Sequence, residues 1–321
     1  MPNGVGRLAR ALRWSVLPLL AVTGALAAAA PAAAPKPSLW GRYVLAYASC
    51  DAAGGSCRQE LAQSRDSIRW SAVVGFTKRP GEHPVAVRRG SRLYVFDGLT
   101  VRRFTIGKQA LTELPPAAVQ LDSGQPPASV DVVLDQAGTL VVVYTEVLET
   151  GDVAVRTATE QTSSDGTVFV TDPGDRVDLS GGSGPVSMLR TRSGWVGLLA
   201  DSTCLRVLQA GNLRGTYRDS GCLTAPSPIS SPSGYWNARL HEFWLYGAGE
   251  DGLRRATASK LTVPLRASRF RPLRSLGAGR TISAARFAAA QARVGSTGFP
   301  GYEARIHASQ ASPPTSNSGL T

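Results

Sequence analysis

Catalysis needs groups that move protons, attack carbon or hold metals, and this chain of 321 residues supplies few of the usual ones. It has three histidines, His83, His241 and His307, and four cysteines. His83 stands directly before Pro84. An imidazole there has a pKa suited to proton transfer near neutral pH, although histidine at a strand start more often packs or hydrogen-bonds. The cysteines form two local pairs, Cys50 with Cys57 and Cys204 with Cys222. Their even number and short spacing read as two disulfides pinning loops, each contributing ~2–3 kcal/mol. Metal binding is the competing use, and it is poorly supplied, because no CxxC occurs and histidines are scarce. No metal site and no cofactor are expected.

Arginine is the abundant functional side chain, and its placement reveals the elements that carry it. Val101-Arg102-Arg103-Phe104-Thr105, Val155-Arg156-Thr157-Ala158-Thr159, Leu205-Arg206-Val207-Leu208-Gln209 and Leu253-Arg254-Arg255-Ala256-Thr257 share one pattern of branched aliphatic, Arg, any, apolar, polar. Successive arginines lie 54, 50 and 48 residues apart. A glycine followed by an apolar run precedes three of these segments, at Gly90, Gly138 and Gly194, and a further run such as Val85–Val87 or Val130–Leu134 precedes each glycine. The fourth unit, with Gly234-Tyr235-Trp236 and then Phe243 to Tyr246, is stretched. A weaker fifth unit comprises Tyr43–Tyr47 and Leu61–Ser64. Short β-branched and aromatic runs broken by Gly, Pro, Ser and Asp are strands, and a period near 50 residues makes each unit a propeller blade. The expected fold is all-β, a five-bladed β-propeller, with six blades as the alternative count. Repeating with the blade, Arg102, Arg156, Arg206 and Arg254 are expected to hydrogen-bond the neighbouring blade's carbonyls or an Asp rather than to ring one anionic ligand.

Residues 1–30 read as a signal peptide: Arg7, Arg10 and Arg13 precede an uncharged run from Trp14 to Ala30, with a cut expected between Ala27 and Ala30. An uncleaved anchor is the alternative, since 17 residues reach only the lower end of a spanning helix. No other segment is long and apolar enough to cross a membrane, so the expected location is secreted or periplasmic, without a transmembrane segment in the mature chain. Residues 31–38 would be a linker, 39–294 the propeller and 295–321 a disordered tail rich in Gly, Ser, Thr and Pro. Within the propeller, Thr281 to Val294 is either a short helix or the strand completing a blade.

Charge limits the partners. The chain has 35 Lys and Arg against 23 Asp and Glu, and from Gly252 to Tyr302 ten basic residues stand without an acid. If they share a face they create a positive field suited to carbohydrate or another anionic polymer. The plainer account is a solvated rim in an Arg-rich chain. Nucleic acid is not expected in an exported protein, and a monomer is. Trp195, Trp236, Trp244, Tyr235 and Tyr246 are either sugar platforms or blade packing. Tyr235 and Trp236, beside a turn, are expected to be exposed and, with Arg254, to bind ligand.

Two motifs carry a family resemblance. Ser163-Ser164-Asp165-Gly166-Thr167-Val168-Phe169 resembles the Asp-box hairpin of sialidases and related propellers, one residue shorter. Ser64-Arg65-Asp66-Ser67-Ile68-Arg69-Trp70 is a poorer copy. In that turn the Asp accepts backbone N–H bonds and the final aromatic packs between strands. Residues 39–290 as a whole resemble five-bladed propeller glycoside hydrolases of the family 43 and family 32 type. That resemblance implies three carboxylates on the first strands of successive blades. Asp131, in Val130-Asp131-Val132-Val133-Leu134, matches the second, the orienting and pKa-tuning residue. The first position, an Asp-Pro, reads His83-Pro84 here, and the third, a Glu-Gly-Pro, reads Ser183-Gly184-Pro185, or Ser187 in a shifted register.

Glycoside hydrolysis normally uses one carboxylic acid to protonate the leaving oxygen and a second carboxylate as base or nucleophile. Asp131 alone does not supply both. Rescue would need Glu82, Glu146, Glu242 or a variation based on His83. The expectation is therefore a glycosidase-like propeller, more a binder than an enzyme. The alternative is an exo-acting glycosidase with a diverged site centred on Asp131, with His83 as its proton carrier.

Overall fold

Among the described residues every regular element is a strand. The computed structural model describes residues 38–39, 41, 43–50, 56–123, 125–180, 186–200, 204–223, 233–238, 240–249, 252–261 and 271–272. Five sheets, antiparallel except for the parallel pair β10–β14, follow one another along the chain, and each is a blade. Blade 1 holds β1 (Tyr43–Cys50), β2 (Cys57–Ser64), β3 (Ser71–Ala72) and β4 (Arg79–Pro80). Blade 2 holds β5 (Pro84–Arg89), β6 (Arg92–Asp97), β7 (Thr100–Ile106), β8 (Leu111–Glu113) and β9 (Ala117–Ala118). Blade 3 holds β10 (Gln120–Leu121), β11 (Ser129–Leu134), β12 (Leu140–Val147), β13 (Val153–Glu160), β14 (Val168–Thr171) and β15 (Val177–Leu179). Blade 4 holds β16 (Val186–Arg190), β17 (Trp195–Ala200), β18 (Leu205–Ala210) and β19 (Arg218–Leu223). Blade 5 holds β20 (Ser233–Asn237), β21 (Glu242–Gly249), β22 (Gly252–Ala258) and β23 (Arg271–Pro272).

The ring closes because central strands are apolar on both faces. On β12, Leu140, Val142 and Tyr144 pack towards blade 2, while the alternate Val141 and Val143 pack towards blade 4. On β6, Tyr94 and Phe96 meet blade 3, while Leu93 and Val95 meet blade 1. Period-two alternation thus reads as a continuous apolar run when neighbours cover both faces. A fourth cluster joins blades 4 and 5 through Leu198, Val207, Leu245 and Ala256. The last seam is aromatic: Tyr43 of blade 1 lies 6.1 Å from Tyr235 and 5.4 Å from Trp244 of blade 5. Five seams make five blades, so the alternative of six falls away.

Blade 1 differs from the others on its axial side. In blade 2, β7 pairs with β8 at one end and β9 at the other; in blade 3, β13 pairs likewise with β14 and β15. In blade 1 it is β2 that pairs with both β3 and β4. By position β2 is therefore a third strand and β1 a second strand. Among the described residues, blade 1 has no counterpart of the inner strands β5, β11, β16 and β20.

The Cys204–Cys222 disulfide is present and ties β18 to β19. Cys57 is also disulfide-bonded and stands directly opposite Cys50 in the β1–β2 register. The signal-peptide region, residues 1–30, and the tail, 295–321, lie outside the described residues, as does Thr281–Val294. No helix among the described residues is long and apolar enough to cross a membrane.

Candidate functional site

Asp131 sits on the inner strand of blade 3 and is 1% exposed. Its register partner is Val143, whose side chain faces blade 4, so Asp131 faces blade 4 as well. One carboxylate oxygen accepts the Val132 N–H at 3.0 Å, and the other accepts the Met188 N–H of β16 at 2.7 Å. The second bond crosses from one blade to the next. A buried carboxylate that accepts backbone N–H groups is stabilised as an acceptor and joins two inner strands whose axial edges have no strand partner among the described residues.

The substitute carboxylates do not join it. Glu146 follows Tyr144 on β12 by two residues, so it faces blade 2, on the opposite side of blade 3 from Asp131. Its carboxylate is buried and pairs with Arg156 at 3.0 Å, while its other oxygen has no partner among the described residues. Glu242 accepts the Trp244 indole N–H at 2.6 Å. Glu82 is exposed and lies 3.7 Å from His83 Nε2. His83 itself precedes β5 with a side chain 38% exposed. Its backbone N–H and that of Glu82 both donate to the Asp97 carboxylate at 3.0 Å, and Gln59 donates to the same group at 2.9 Å. Asp97 thus shapes the entry to β5. The Ser183-Gly184-Pro185 position lies outside the described residues; Ser187 is buried on β16.

The repeated arginines are structural, with a refinement. Each of the three whose side chains are described pairs with an acid from the outer part of its own blade. Arg102 binds Glu113 through two bonds of 2.9 and 3.1 Å, reaches the Thr77 carbonyl at 2.7 Å and lies over the Phe76 ring at 4.5 Å. Arg156 meets Asp175 at 2.6 Å, and Arg206 meets Asp219 at 3.0 Å. Hydrogen bonds from Arg102, partly opposed by burial, hold the Glu113 carboxyl below its ordinary range. The side chain of Arg254 lies outside the described residues. So do most cations of the acid-free stretch, although Arg255 bonds the Ser67 carbonyl at 3.3 Å and stacks over Trp244 at 4.7 Å, across the closing seam.

The Asp-box expectation needs correction at Asp165. Its carboxylate accepts the Tyr94 hydroxyl at 2.6 Å and pairs with Arg103 at 3.5 Å, rather than binding backbone N–H groups of its own turn. Glu160 takes the Gly166 N–H instead, at 2.7 Å, and is paired with Arg89. Burial, then the Asp165 hydrogen bond, push the Tyr94 hydroxyl up to about 12. The poorer copy behaves more like the expected turn: Asp66 accepts the Ile68 and Arg69 N–H groups, each at 2.8 Å. Burial raises the Asp66 carboxyl, but those bonds and the Ser64 hydroxyl outweigh it and hold it below its usual value. The aromatic ends of both segments, Phe169 and Trp70, are buried.

Tyr235 also departs from expectation. It is 6% exposed and packs into the aromatic seam between blades 5 and 1, because register puts it opposite Trp244. Proximity to a turn does not expose a residue whose strand face meets the next blade. Trp236, one residue on, faces the other way and is half-buried, 4.6 Å from the Phe243 ring. Both rings line a cleft of about 480 Å³ that also takes in Arg192, Arg218, Gln209 and the Thr191–Trp195 turn. That turn lies close against β18: Gly194 has φ 142°, and a Cβ there would collide with the Ala210 carbonyl. Sequence reading named Trp236 but missed Arg192 and Arg218, which fall outside the repeated arginine pattern.

No family model matches the sequence, and no curated protein does. Several solved structures are similar. One is a family 117 glycoside hydrolase from Zobellia galactanivorans, at 13% identity and TM-score 0.42, over 55% of this chain and 58% of that one. A second is the catalytic domain of a Coprinopsis cinerea family 62 α-L-arabinofuranosidase, at 15% identity and TM-score 0.45, covering 63% and 70%. A third is an endo-arabinase from Bacteroides thetaiotaomicron, at 12% identity and TM-score 0.44, covering 71% and 97%. The chain thus spans little more than half the length of the family 117 enzyme. The neighbours are glycoside hydrolases. At these identities the activities stay with those enzymes, and the five-bladed ring stands on this chain's own five sheets.

Proposed function

We propose that this chain is an exported, glycosidase-like propeller that binds carbohydrate or another anionic polymer without hydrolysing it. One observation carries the reading. Asp131, which holds the family's orienting position in the resemblance, has its carboxylate engaged by the Val132 and Met188 N–H groups. Hydrolysis asks for two carboxylates flanking one bond, with roughly 5–9.5 Å between them. Glu146 faces the other side of the blade, Glu242 is tied to Trp244, and Glu82 stands in solvent beside His83.

Export supports the same reading: the N-terminal signal pattern and the Cys204–Cys222 disulfide both suit an oxidising compartment outside the cytoplasm. The test is retention of purified 35–321 on immobilised acidic and neutral polysaccharides, with the eluate and column examined for released sugars. Retention without products is expected. Passage through every matrix, at low and moderate salt, would remove the binding function.

A further inference from the structure

We infer that the cleft between blades 4 and 5 is a binding site for a carboxylate-bearing sugar, a uronate residue within a polysaccharide. The inference rests on the binding function proposed above and assigns it a place and a ligand chemistry. The cleft is formed by the turn from β16 to β17, the end of β18, the start of β19 and the paired Trp236 and Phe243 of blade 5. It therefore opens at the end of the blades where inner strands finish, away from the ends where they begin. Its volume of about 480 Å³ is within the range of small-molecule sites, on the order of 300–1,000 Å³.

Its chemistry is selective. Two arginines line it and no acidic residue does. Elsewhere in this fold arginines find acids: Arg102 has Glu113, Arg156 has Asp175, Arg206 has Asp219 and Arg214 has Asp135. Among the described residues Arg192 has no ion pair, and the partner of Arg218 is neutral, Gln209 at 3.2 Å. Two guanidinium groups without a counter-charge, beside a hollow, offer planar forks that match a carboxylate. Trp236 and Phe243 supply apolar ring area against which the C–H face of a pyranose can pack. The Trp236 indole N–H itself is buried and has no acceptor among the described residues. Ser193 and Gln209 add neutral hydrogen-bonding groups at the rim. A neutral sugar would use the rings and leave the arginines idle; a simple inorganic anion would use the arginines and leave the rings idle. A uronate uses both.

The test titrates purified 35–321 with galacturonate trimer, its methyl-esterified form and xylotriose, following tryptophan fluorescence and calorimetry. The same titrations are run on Arg192→Gln/Arg218→Gln, whose changes are at exposed positions, and on Trp236→Phe. The expected result is binding of the acid trimer, at least 10-fold weaker binding of its methyl ester and of xylotriose, and at least a 10-fold loss in the double variant. Acid-trimer binding that survives in both variants would place the ligand elsewhere, overturning the cleft while sparing the proposed binding function. Equal binding of acid and ester, lost in Trp236→Phe, would overturn the uronate assignment while keeping the cleft. No binding of any oligosaccharide would overturn the inference; polysaccharide retention, measured separately, would then decide the broader function.

Discussion

Asp131→Ala separates a structural carboxylate from a catalytic one. The substitution strips the acceptors from the Val132 and Met188 N–H groups, of which the second links blade 3 to blade 4. An unsatisfied buried donor costs about 1–3 kcal/mol. The Val132 bond is local and weaker, so the sum is about 3 kcal/mol. For a folded unit of this size, 1 kcal/mol moves Tm by about 2–4 °C, which places the expected fall at about 6–12 °C. Thermal unfolding followed by circular dichroism, with urea titration to confirm an unchanged m-value, reads the effect. Asp131→Asn keeps one acceptor oxygen and should fall by less than the alanine variant. A Tm within about 1 °C of the parent in Asp131→Ala would refute the reasoning, because a buried link between blades cannot be removed at no cost.

Three further outcomes follow from the same structure. Arg102→Met should destabilise by about 2–3 kcal/mol by leaving the Thr77 carbonyl without its donor and Glu113 with Arg79 alone, and adding Glu113→Leu should recover part of that loss, as read by urea unfolding. Because Arg102 depresses the Glu113 carboxyl, its contribution is present above the unfolded carboxylate range, about 4.3, and is lost as pH falls through the lower folded value; acid-induced loss of stability should be smaller in Arg102→Met. Replacing Cys204 and Cys222 by Ala, which opens a loop of sequence separation 18, should cost about 2–3 kcal/mol in the same assay.

The blade plan was legible because it is written in repeated local chemistry. Gly90, Gly138 and Gly194 mark the turns between each inner strand and the next, and the arginine pattern marks β7, β13, β18 and β22, each the third strand counted outward from the inner one. Those signals depend on residues close in sequence. What failed depends on which face of a strand meets which neighbour. Tyr235 was expected in solvent because a turn is near, yet alternation sends it into the seam with Tyr43. Asp165 was expected to cap its own turn, yet Glu160, five residues earlier, takes the Gly166 N–H and frees Asp165 for Tyr94 and Arg103. The acids that answer the repeated arginines follow at 11, 19 and 13 residues, a spacing too irregular to read without the outer strands in place. Arg192 and Arg218 carry no pattern at all; the pairing of β16 through β19 sets both along one edge of blade 4, where Trp236 and Phe243 of blade 5 complete the cleft.

The central claim is that the carboxylate at position 131 builds the ring and does not cut glycosidic bonds. The most direct measurement incubates purified 35–321 with a panel of aryl glycosides and sialosides, beside Asp131→Asn held well below its Tm. No turnover by either protein, together with retention on acidic polysaccharide, is the predicted result. Turnover by the parent that disappears in the folded variant would contradict the account and make the chain a hydrolase centred on Asp131.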